Sequence, residues 1–156
     1  MVTLEQKQEY YSRIRERNYK NSCRLEGMNM GVNYNEITKL QEQIYQQNMK
    51  AGWWTSLQTG EIKPKGDVTE ILAKLALVHS EVSEALEGVR KNLMDDKLPH
   101  RPMAEVEMAD AVIRILDLCG HEGYDLAGAI EEKLAFNAIR EDHKMENRLK
   151  DGGKKA

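Results

Sequence analysis

The chain reads as all-α, and three observations carry that reading. Apolar residues recur at steps of three and four, helix-capping residues punctuate the intervals, and no segment alternates as a strand would. Only three prolines interrupt 156 residues, of which 40% are hydrophobic and 31% charged. That balance suits a helical domain with a packed core and excludes a disordered polymer.

A first helix is expected from Thr3, because Thr3 and Gln6 have capping-box spacing, and it fades near Gly27 and Gly31. It is polar, so residues 1–35 read as an arm that packs on a neighbour or wraps the domain. Its basic run (Arg13, Arg15, Arg17, Lys20, Arg24) reads as a solvated face. Asn35 is placed to cap a second helix reaching Lys50, with Ile37, Leu40 and Ile44 on one side. Gly52, Trp53 and Trp54 follow, then a loop with Gly60, Pro64 and Gly66.

Asp67 and Glu70 repeat the capping-box spacing and open a third helix. Its stripe of Ile71, Leu75, Val78, Val82, Leu86 and Val89 is expected to face the core. A polar connection from Asn92 to Arg101 leads to Pro102, which fits the first turn of a fourth helix ending near Gly120. Asp125 would cap a fifth helix reaching Arg148, before a polar tail over 149–156. The expected architecture is a four-helix bundle over 36–148 with an additional N-terminal helix.

The formal charge of −3 gives no footing for a nucleic-acid partner, and no apolar run nears the roughly 20 residues of a membrane span. The first residues lack the charged-then-apolar layout of a secretory signal. Of the two cysteines, Cys119 falls on an apolar helix side and reads as a small core residue; neither it nor Cys23 asks for a disulfide. A cytoplasmic protein is the expectation.

Glu81 and Glu84 stand three residues apart on the third helix, and Glu107 and Asp110 repeat the spacing on the fourth. Residues at that spacing share a helix face, so packing the two helices together would gather four carboxylates. Like charges in a partly dry site repel and shift one another's pKa, an objection that a hard divalent cation removes. The fourth helix is apolar around most of its circumference, leaving a narrow polar strip of Glu107, Asp110, Arg114 and Asp117. Helix-surface charges alone would give the same short motif. Di-iron bundles use a Glu-x-x-His pair, and none of His79, His100, His121 or His143 has a glutamate three positions earlier. An all-carboxylate set points to Mg²⁺, with Mn²⁺ as a substitute.

Magnesium held by carboxylates commonly serves phosphate chemistry. Lys133, Asn137, Arg140 and Lys144 form a stripe that could contact phosphates, although a solvated face looks the same. Trp53 and Trp54 could wall a nucleobase, with Asn48 or Gln47 reading its edge, or they could be core residues.

With these residues in view, the chain resembles the MazG-like all-α nucleoside triphosphate pyrophosphohydrolases. Their E-x-x-E, spacer, E-x-x-D signature matches H-S-E-V-S-E-A-L-E (Glu81, Glu84) and E-M-A-D-A-V-I-R-I-L-D-L (Glu107, Asp110). K-L-A-F-N-A-I-R matches the family's phosphate-contacting positions at Lys133, Asn137 and Arg140, and A-G-W-W resembles the base-proximal segment of a subset. The resemblance runs from about residue 36 to 148. It implies Mg²⁺-dependent hydrolysis of a (deoxy)nucleoside triphosphate to monophosphate and pyrophosphate, in nucleotide-pool sanitation. It also implies a homodimer or homotetramer, since family sites are usually completed across subunits. Glu105 and Glu87 are spare acids beside the motif. Two rivals stand: a non-catalytic helical adaptor, and a pyrophosphohydrolase of the phosphoribosyl-ATP type.

Overall fold

A computed structural model describes residues 34–152. The helix expected from Thr3, the basic run and Cys23 lie outside the described residues. Among the described residues there are four longer helices: α1 (Tyr34–Lys50), α2 (Val68–Lys91), α3 (Met103–Glu122) and α4 (Leu126–Ile139). A 3₁₀ turn (Glu141–His143) and a short α5 (Met145–Arg148) follow. Among the described residues there is no strand, only the isolated bridges Thr55–Ile62 and Met94–Pro102. The fold is all-α. Asn35–Leu126 form one compact unit, and the described residues from Ala127 onward belong to another.

Asp67 starts α2 by accepting from the backbone N–H groups of Thr69 (2.9 Å) and Glu70 (3.3 Å). The reciprocal half of the expected capping box is absent, because the Glu70 carboxylate turns to Lys63 at 2.8 Å. The helix stops at Asn92, which is left-handed at φ 52°. The Leu93 N–H then donates to Gly88 and the Asn92 N–H to Val89, satisfying two of the last carbonyls.

α2 and α3 run antiparallel. Lys74 pairs with Asp117, Glu81 with Arg114, and a Cβ on Gly88 would meet the Ala104 nitrogen at 3.0 Å. The seam on α2 is therefore Lys74, Val78, Glu81, Ala85 and Gly88. On α3 it is Glu107, Ala111, Arg114, Asp117 and His121. This corrects the expected core-facing stripe. Leu75, Val82, Leu86 and Val89 are exposed, the last at 69%, and so are Met108 and Val112 on α3. Helix α2 carries a large-apolar stripe and a small-and-charged one, and the second faces α3. Small Ala85, Gly88 and Ala111 permit close backbone approach, and the ion pairs set the register.

Helix α1 meets α3 at Gly120. A Cβ there would stand 2.6 Å from the Tyr45 Cβ, and Gln41 Nε2 donates to the Tyr124 carbonyl at 3.2 Å. Gly120 thus serves close approach and does not end the helix. Termination falls at Gly123, left-handed at φ 75° with its N–H on the Cys119 carbonyl. Cys119 is buried, as a core cysteine should be.

The helix expected to reach Arg148 breaks after Ile139. Arg140 is extended (φ −70°, ψ 125°) and Lys144 extended again (φ −69°, ψ 136°). Local side-chain contacts compete with the helix here: Arg140 grips Asp142, Lys144 pairs with Glu141, and the Asn147 amide donates to the Glu141 carbonyl. Lys144 therefore does not continue a helical stripe from Lys133.

Candidate metal centre

Glu81 comes from the middle of α2 and Glu107 from the second turn of α3, both buried in the seam. Glu84 is one turn further along α2 and exposed. One carboxylate oxygen from each of these three lies within 4.8 Å of the others. Asp110 lines the same cleft without joining that convergent set. Three of the four motif acids are thus gathered by the antiparallel pairing, and the fourth stands at the rim.

Burial pushes the Glu107 carboxyl up to about 7, helped by its hydrogen bond with Glu81 and by the negative charges of Glu84, Glu81 and Asp110. A carboxyl that holds its proton near neutrality shows chiefly that this buried position disfavours an unaccompanied charge. The donor set is oxygen throughout, which suits a hard divalent cation.

The cleft has a volume of about 390 Å³ and also takes in Asp95, Lys97, Leu98, Val106 and Arg114. Arg114 sits one turn beyond Asp110 and places both Nε and a terminal nitrogen 2.5 Å from Glu81 Oε1. Asp95 and Lys97 come from the α2–α3 connection. That loop is shaped by Asp95, whose Oδ1 accepts from the backbone N–H groups of Lys97 (3.0 Å) and Leu98 (2.5 Å). Asp95 is itself buried, and its N–H donates to the Arg101 carbonyl at 3.0 Å. Asp95 and Lys97 have no motif spacing to announce them; only the loop brings them to the acids. Arg114 did have a signal, being four residues past Asp110 on the polar strip. The spare acids stand apart: Glu105 pairs with Arg101 at 2.8 Å, and Glu87 with Arg90 and Lys91.

The two tryptophans separate. Trp53 is 65% exposed. Trp54 has no exposed surface, and its indole N–H donates to Asp117 Oδ1 at 2.8 Å. Lys74 Nζ stands 4.2 Å from its ring centroid and 3.8 Å from Asp117 Oδ2. Burial lowers the Lys74 pKa, partly offset by Asp117. As a base-stacking wall Trp54 is therefore corrected: its ring is consumed by the core, because a buried indole needs a hydrogen-bond acceptor and α3 supplies one. Asn48 is half-buried at the end of α1, and its carbonyl accepts from the Trp53 N–H at 3.1 Å.

The other candidates lie in the C-terminal unit. Lys133 is exposed, with Nζ 5.2 Å from the Phe136 ring centroid, and Asn137 is half-buried. Arg140 stands past the end of α4 and forms a fork onto Asp142 (2.8 and 2.5 Å), which raises its pKa further.

A family model described as YhfG matches residues 1–47, a segment that meets the described structure only within α1. No curated protein and no solved structure matches the chain. No helix among the described residues is long and apolar enough to cross a membrane.

Proposed function

We propose that the protein is a Mg²⁺-dependent nucleoside triphosphate pyrophosphohydrolase with a MazG-like helical arrangement. The observation that carries the reading is the convergence of Glu81, Glu84 and Glu107 within 4.8 Å on paired helices, in a cleft that Arg114 and Lys97 also line. Glu81, Glu84 and Glu107, with Asp110 at the rim, would hold the cation, for which Mn²⁺ can substitute. When bound, that ion neutralises the triphosphate and the charge developing on departing pyrophosphate. One carboxylate of the set orients or deprotonates the attacking water. The phosphate-contacting role of Lys133, Asn137 and Arg140 rests on the sequence resemblance alone, and Arg140 is engaged by Asp142. Trp53, exposed where Trp54 is not, lies against the base.

The exposed apolar side chains of α2 and α3 support assembly into a homodimer or homotetramer. They equally suit a non-catalytic helical adaptor. One experiment separates these readings: eight common ribo- and deoxyribonucleoside triphosphates with Mg²⁺, scored for monophosphate plus pyrophosphate. Pyrophosphate release by the wild type, abolished in Glu84→Gln and Asp110→Asn with helicity intact, is expected. Release from none of the eight overturns the nucleoside triphosphate reading, and undiminished turnover in both variants overturns the assignment of the acids.

A further inference from the structure

Glu81 is a poor place for an unaccompanied negative charge. Its side chain is 7% exposed and it faces two further carboxylates. Arg114 supplies the company, directing two nitrogens at the same oxygen. A guanidinium keeps its charge throughout the ordinary pH range, so proton loss does not open this pair. With Glu81 ionised, what can open it is another cation competing for that carboxylate. Arg114 is suited to such an exchange, since it is 39% exposed and already borders the cleft.

We propose that Arg114 is a resident counter-ion of the acidic cluster, exchanged for the divalent cation when the centre loads. This rests on the cation-binding reading above. The arginine holds Glu81 in place before loading, and it sets a threshold that the incoming ion must exceed. The threshold has two sources: the ion pair to be broken, and repulsion between a guanidinium and a doubly charged ion in a partly buried cleft.

The test is calorimetric titration of the full chain with Mn²⁺ alone at pH 8, in the wild type, Arg114→Met and Arg114→Gln. Removing the competitor should tighten Mn²⁺ binding on the order of tenfold. Equal or weaker binding in folded variants overturns the proposal. Should both variants fail to fold, the wild type still answers. The Arg114 Nε–H resonance, followed by nitrogen NMR during Mg²⁺ titration, should shift as the pair opens. A resonance that stays in place while the centre saturates overturns the exchange. Mn²⁺ binding to none of the three proteins would sink the cation-binding reading itself, whereas wild-type binding with no gain in the variants sinks the counter-ion role alone.

Discussion

Trp54 lies flat on His121, with ring centroids 3.6 Å apart and planes 4° from parallel. Lys74 also stands over the Trp54 ring, which is tethered by its N–H to Asp117. His121 is buried too, meets Tyr45 of α1 edge-on at 6.0 Å, and has Glu122 Oε1 3.8 Å from Nε2. The loop after α1, α2 and α3 are joined at this point. Asp117→Ala should therefore leave a buried indole N–H without its acceptor and the Lys74 ammonium without its ion-pair partner. The expected loss is about 1–3 kcal/mol in urea unfolding, with a red shift of tryptophan emission. Wild-type stability in Asp117→Ala would mean the network adds nothing.

Neighbouring tryptophans with opposite burial should have opposite phenotypes. Trp53→Ala is expected to raise the KM for the nucleotide several-fold while leaving the melting temperature within a few degrees. Trp54→Phe should lower the melting temperature, because phenylalanine keeps the stack and loses the hydrogen bond to Asp117. A Trp54→Phe variant with full stability and impaired KM would return Trp54 to the binding surface.

What could be read in advance follows from how local each signal is. Asp67 and Pro102 mark helix starts to within a residue or so because capping is settled by the first turn alone, whereas Asn35 lies inside α1 and is not shown as its cap. The acidic pairs were legible because i, i+3 spacing survives whatever the helix packs against. The choice of face was not. Periodicity finds the large-apolar stripe of Val82, Leu86 and Val89, yet the helix pairs through Glu81, Ala85 and Gly88. That preference depends on how closely two backbones approach and on charges supplied by the other helix, neither of which one helix's pattern contains. Gly120 misled for the same reason, since only Tyr45 across the interface explains it. The break at Arg140 lies in contacts between residues two to six apart, where the helical and non-helical forms compete closely.

Gly88, in the α2–α3 seam, and Gly120, against α1, give a test whose sign is opposite to helix propensity. An alanine in place of a mid-helix glycine would ordinarily gain about 1 kcal/mol. At Gly88 the new methyl would stand 3.0 Å from the Ala104 nitrogen and 3.1 Å from the Met103 Cβ, the first being backbone. At Gly120 it would stand 2.6 Å from the Tyr45 Cβ. Overpacking of this kind typically costs about 1–3 kcal/mol, so Gly120→Ala should destabilise clearly and Gly88→Ala less. Thermal unfolding decides it, and stabilisation in both would show that the helices are further apart than described.

The pH dependence of stability should carry the signature of Glu107. Its carboxyl rises from the ordinary 4.5 to about 7 in the folded chain. Between those values the folded protein keeps a proton that the unfolded chain has released, so the unfolded state binds fewer protons and stability falls as pH rises. This is the reverse of a salt-bridged carboxylate. Glu107→Gln cannot ionise, so the metal-free variant should lose this component and exceed the wild type in melting temperature by several degrees at pH 8. A bound divalent cation inverts the comparison, because it favours the ionised cluster and stabilises the wild type by mass action. Melting curves from pH 4.5 to 8, with a chelator and then with excess Mn²⁺, test both halves. Parallel pH slopes for wild type and Glu107→Gln in chelator would show that the buried carboxyl titrates as freely in the fold as in the unfolded chain.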